Sequence, residues 1–126
     1  MTGLVIFLGS GLGGLARYAA GVWIQNTSRS EFPWGTLVIN VSGSLLLALV
    51  YGVLDGTSTA PEWRAFLGIG VLGGYTTFSA FSYEAVRLLQ DGEWDRALWY
   101  VLGSVILSLT AALLGFRLAS DLLRWR

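Results

Sequence analysis

Four apolar stretches, each long enough to cross a bilayer, take up almost all of this 126-residue chain. A hydrocarbon core about 30 Å thick needs roughly 20 helical residues. The stretches run over about 2–24, 33–54, 63–89 and 94–118. Only 13% of the residues are charged, against about 25% in a typical soluble domain. A chain this short keeps much of its surface outside any core, and these charges are too few to cover it. The reading is a single all-α membrane domain over residues 1–126, with four transmembrane helices. The links Gln25 to Phe32, Asp55 to Glu62 and Gln90 to Glu93 are short, so neighbouring helices run antiparallel.

Composition removes other classes. Cys and His are absent, so there is no disulfide framework, no thiolate or imidazole metal site and no Cys–His or Ser–His pair; an enzyme has little support. All eight cationic residues are Arg and the formal net charge is zero, which offers nucleic acid no basic surface. The first stretch has no cationic n-region and exceeds a signal-peptide core in length, so it reads as a span. Its Gly9-Ser10-Gly11-Leu12-Gly13-Gly14 has GxGxxG spacing, with Glu31 as a nominal acidic partner. A dinucleotide site needs a strand before that turn and a polar-faced helix after it, and the chain shows no such alternation. Gly9 and Gly13 read instead as a small-xxx-small packing face.

Orientation depends on the cation count. One side of the membrane would hold Arg64, Arg117, Arg124 and Arg126, the other Arg17, Arg29, Arg87 and Arg96. Four against four gives no positive-inside bias. A chain without bias inserts both ways, and opposite insertions allow an antiparallel homodimer whose two-fold axis lies in the membrane plane, as inverted repeats achieve within larger transporters.

Polar residues inside the spans are the functional candidates. In the third span Gly73-Gly74 weakens the helical ladder and Thr76-Thr77 offers hydroxyls to the freed backbone groups. Two readings stand: a broken helix presenting carbonyls and N–H groups to ions, or a packing notch made by Gly70 and Gly74. Phe78 and Phe81 share a helix face, turned either to lipid or edge-on to an anion; Ser79 and Ser82 repeat that spacing. Asn40, in the second span, either makes one interhelical hydrogen bond or donates N–H to an anion. Tyr100, Ser104 and Ser108 form a hydroxyl stripe down the fourth span, as helix glue or as a track. Arg17 is the one charge well inside a span; it either snorkels or makes a vestibule positive. Glu84 falls near an aqueous end, and no carboxylate sits mid-span for proton coupling. Neutral donors suit passive anion conduction.

Three segments together resemble the Fluc (CrcB) family of fluoride channels over essentially the whole chain. They are Gly13-Gly14-Leu15-Ala16-Arg17-Tyr18, then Phe32-Pro33-Trp34-Gly35-Thr36-Leu37 leading to Asn40, and Gly73 through Ser82 with Glu84. The resemblance implies a dual-topology antiparallel homodimer in the cell membrane, with two fluoride pores at its interface and a third helix broken at mid-membrane. It implies a structural Na⁺ at the dimer centre, held by the main-chain carbonyls of Gly73 and Thr76. It places Phe78, Phe81 and Asn40 in the pore, with Thr77 and Ser79 hydroxyls beside them and Tyr100, Ser104 and Ser108 as a polar track. Arg17 and Glu84 fall at vestibule or gating positions. Tyr75, where a smaller aliphatic residue is expected, and Ala80, where Thr is usual, depart from the pattern. The implied role is relief of fluoride toxicity by passive exit of the ion. The alternative is a small multidrug-type dual-topology exporter, which needs a Glu midway along the first span; residues 2–24 contain no carboxylate. A non-transporting scaffold is the third reading.

Overall fold

The computed structural model describes residues 1–55 and 61–124, and all regular structure among them is helical. Residues 56–60 of the second expected link, and Arg126 of the cation count, lie outside the described residues. Helix α1 runs over Thr2–Ser28 and α2 over Trp34–Asp55. The third span comprises α3 (Pro61–Arg64), a π-helical segment (Ala65–Leu72), α4 (Gly73–Tyr75) and α5 (Phe78–Gln90). Helix α6 covers Trp94–Arg124. All four spans are long and apolar enough to cross a membrane. Helices α1 and α6 continue to Ser28 and Arg124, beyond the apolar stretches that end near Ile24 and Leu118. The backbone ladder does not stop where the apolar run of sequence does.

Glycine decides how closely the first and third spans approach. A Cβ on Gly9 would stand 2.7 Å from the Phe66 carbonyl oxygen and 3.0 Å from the Gly70 Cα; one on Gly74 would stand 2.6 Å from the Ser10 carbonyl oxygen. Each of the two small-xxx-small pairs, Gly9/Gly13 and Gly70/Gly74, therefore lies against the other helix, where dispersion between close backbones stands in for a hydrophobic drive that lipid cannot supply. The π-helical turn lies along this seam, and at its end the Gly73 N–H reaches the Gly68 and Gly70 carbonyls. Helix α2 packs along α6, with Gly115 against Leu45 and Ala48.

One end of the bundle is tied by polar contacts. Gln25 Nε2 donates to the Ser30 and Phe32 carbonyls at 2.6 and 3.1 Å, and its Oε1 accepts from the Gly35 N–H at 3.3 Å. Arg96 pairs with Glu31 at 3.3 Å and with Glu93 at 2.7 Å, placing the first and third links side by side. Asp55 pairs with Arg64 where the second and third spans meet the other end. A small cluster of Leu37, Ala85, Leu88, Ala97 and Tyr100 is buried beneath Phe32, Val41 and Phe81. Elsewhere large apolar side chains face outward, among them Phe7 at 73%, Leu15 at 69% and Leu113 at 71% exposure. Such a surface is stable in lipid and not in water.

Candidate functional site

The third span breaks at Thr76-Thr77. Both residues are extended, with φ, ψ of −76°, 157° and −151°, 113°. Their hydroxyls serve the ends they separate: Thr76 Oγ1 donates to the Leu72 carbonyl at 3.1 Å, and Thr77 Oγ1 accepts from the Ala80 N–H at 3.2 Å as the N-cap of α5. Asn40 supplies the rest. Its Oδ1 accepts from the Thr77 N–H at 2.8 Å and its Nδ2 donates to the Thr77 carbonyl at 2.9 Å. One side chain thus pairs both backbone groups of a residue that has left the helix, which an apolar setting requires. The Thr77 N–H would otherwise close a helical bond onto the Gly73 carbonyl; its diversion releases that oxygen from its i+4 partner. The break and the glycine notch, alternatives in the sequence, coexist.

An open-sided cavity of about 350 Å³ lies beside the break. Its lining includes Asn40, Thr77, Phe78, Phe81, Ser104 and Ser108, six of the eight expected pathway residues, together with Ser44 and Thr76. Phe78 and Phe81 pack with ring centroids 5.5 Å apart, and Phe78 remains 79% exposed. Ser104 is 5% exposed, and its hydroxyl has no hydrogen-bond partner among the described residues. A buried hydroxyl with unspent donor and acceptor capacity is costly unless something visits it.

Ser79 and Tyr100 stand apart from that cavity. Ser79 lines a larger one of about 890 Å³ with Arg17, Thr36, Thr77 and Glu84, so the two cavities meet at Thr77. Tyr100 is fully buried and donates from its hydroxyl to Glu84 Oε2 at 2.6 Å, while Thr36 Oγ1 donates to Glu84 Oε1 at 2.9 Å. Glu84 therefore joins α2, α5 and α6 beneath the larger cavity. Tyr100→Phe keeps the ring contacts with Phe81 and Phe32 and removes one donor from the carboxylate. It should cost about 1.5–3 kcal/mol, measured as a lower midpoint of unfolding in detergent; an unchanged midpoint would show that water replaces the phenol.

Arg17 Nη1 donates to the Thr76 carbonyl at 3.3 Å, and the side chain also lines the larger cavity. Thr36 escaped the sequence reading, although it lies one helical turn before Asn40 and within the quoted Gly35-Thr36-Leu37 segment. Its spacing was the available signal. Gln25 gave none, because its partners are carbonyls of an irregular link. The groups offered to a cation at the break are main-chain oxygens, and no cluster of three or more acidic side chains occurs among the described residues. Carbonyl oxygens of that kind fit a hard monovalent ion.

Four apolar helices, one of them interrupted by a backbone-paired polar break, define a multi-pass helical membrane protein. The chain belongs to the CrcB-like family (Camphor Resistance, CrcB), whose model matches residues 4–116. A protein of Thermus thermophilus named fluoride-specific ion channel FluC is 46% identical over 119 residues, 94% of each chain. A protein of that name from Rhizobium meliloti is 44% identical over 116 residues, 91% of this chain and 93% of its own. Another, from Granulibacter bethesdensis, is 42% identical over 125 residues, 98% of each.

Proposed function

We propose that the chain is one subunit of a fluoride-selective passive channel of the plasma membrane. The observation that carries this reading is the cavity beside the break, lined by Asn40, Thr77, Phe78, Phe81 and Ser104, whose hydroxyl has no partner among the described residues. The names of the relatives supply the ion. A small, strongly hydrated anion enters a low-dielectric core only if close donors replace its water. Asn40 retains one N–H beyond the bond to Thr77, Ser104 and Ser108 add hydroxyls, and the rings of Phe78 and Phe81 offer positive edges. The proposed basis of selectivity is a width at which these donors reach fluoride and chloride is excluded by size.

Two copies inserted in opposite directions complete the pores, in keeping with the even Arg count. A structural Na⁺ at the centre of the dimer would sit on the Gly73 and Thr76 carbonyls, where it would supply a fixed positive field. Fluoride enters cells as HF, dissociates in the cytoplasm and leaves through the pore as the ion. The multidrug-exporter reading is not favoured, since α1 carries no carboxylate anywhere in Thr2–Ser28. Phe81→Ile and Phe78→Ile test the pore assignment in reconstituted vesicles. Each keeps apolar bulk but loses the aromatic edge. Fluoride efflux should fall at least tenfold, an effect of about 1.4 kcal/mol or more on the barrier. Full efflux from both folded variants would remove the phenylalanines from the pathway.

A further inference from the structure

The Thr76 carbonyl, assigned above to sodium, already faces a cation in this structure. Arg17 Nη1 donates to it at 3.3 Å in a partly buried position, and Arg17 takes part in none of the ion pairs among the described residues. The carbonyl has little freedom to turn away. Its own peptide is held by Asn40 at 2.8 Å through the Thr77 N–H, and the following peptide at 2.9 Å through the Thr77 carbonyl. Arg17 has freedom that the carbonyl lacks, because its long side chain also lines the cavity of about 890 Å³ that contains Glu31 and Glu84. Two positive charges on one carbonyl repel, and in this partly buried position water screens them less than at an open surface.

We infer that Arg17 is a built-in competitor for the sodium, a positioning residue that couples occupancy of the break to the charge of the vestibule. Without sodium the guanidinium holds the Thr76 oxygen. With sodium bound, the guanidinium is released toward the larger cavity, where its charge favours entry of an anion. Coupling of this kind is reciprocal: as sodium expels Arg17 from the carbonyl, Arg17 weakens sodium. The inference rests on the sodium reading of the proposed function, and its test separates the two.

The full chain, reconstituted in lipid nanodiscs and washed free of sodium with choline as the replacement cation, is titrated with NaCl at constant ionic strength. The unfolding temperature and tryptophan fluorescence are followed for the wild type and for Arg17→Gln, whose neutral amide keeps a donor but not the charge. The wild type should respond to sodium with a measurable midpoint, and R17Q should respond at a sodium concentration at least about tenfold lower. Arg17→Lys, still charged, should stay near the wild type. A wild-type response with an unchanged or higher midpoint in R17Q overturns the competition and leaves the sodium site standing. No wild-type response overturns the sodium reading and the competition with it. A measurement on the wild type covers the case in which R17Q does not fold. The ¹⁵N resonance of the Arg17 side chain should move when sodium replaces choline, and a fixed resonance in a protein whose unfolding temperature rises with sodium contradicts the inference.

Discussion

Asn40→Ala should abolish ion flux and cost the protein more stability than any other single polar substitution in the second span. The asparagine satisfies both the N–H and the carbonyl of Thr77, at 2.8 and 2.9 Å. Alanine leaves both groups unpaired in an apolar setting, at about 1–3 kcal/mol each. The cheapest repair is for the Thr77 N–H to return to a helical bond, which closes the break and reclaims the Gly73 carbonyl. Fluoride efflux should drop to the level of protein-free vesicles. Asn40→Asp sharpens the test, since it keeps an acceptor for the Thr77 N–H and sets a second oxygen against the Thr77 carbonyl. It should fail almost as completely. Near-normal flux in N40A would mean that the extended Thr77 is held by something other than this amide.

Gly13→Ala should be the most damaging addition of a single methyl group. Its Cβ would collide with the Val71 carbonyl oxygen and lie 2.9 Å from the Tyr75 nitrogen. These are backbone atoms, so no rotamer change relieves the clash. The helices must part, and overpacking of this kind costs about 1–3 kcal/mol or more. Because the displaced residues lead straight into Thr76-Thr77, flux should fall together with the yield of folded protein. Gly3→Ala is the matched control, with nothing within 4 Å of its added carbon, and it should leave the unfolding midpoint unchanged or slightly raised. Equal midpoints for G13A and G3A would show that the α1 seam is looser than its backbone distances imply.

The spans were legible in the sequence because lipid imposes a length and a composition that few other constraints imitate. Both glycine seams were legible for a related reason: close helix approach in lipid leaves small residues at fixed spacing, and Gly9/Gly13 and Gly70/Gly74 keep that spacing. Asn40, Phe78, Phe81, Ser104 and Ser108 could be singled out as polar or aromatic groups at unusual depth, yet no local rule says that they line one cavity. Their convergence follows from the packing of α2, α5 and α6. The π-helical turn over Ala65–Leu72 had no local signature, since a wider ladder there goes with packing against α1 and not with the propensity of its residues. The four-residue spacing of Tyr100, Ser104 and Ser108 puts them on one helical face. The phenol is nonetheless turned away from the cavity by Glu84, a partner sixteen residues distant. The bond from Arg17 to Thr76 likewise spans fifty-nine residues, and snorkelling was the only alternative that local reasoning could weigh against a vestibule charge.

Efflux from proteoliposomes containing the purified wild-type chain tests the central claim most directly, with a fluoride electrode for one ion and a chloride electrode for the other. The account predicts rapid fluoride release that follows the membrane potential, ignores an imposed proton gradient and has little chloride release beside it. No fluoride release from a verified folded dimer, or chloride release at a comparable rate, would contradict it.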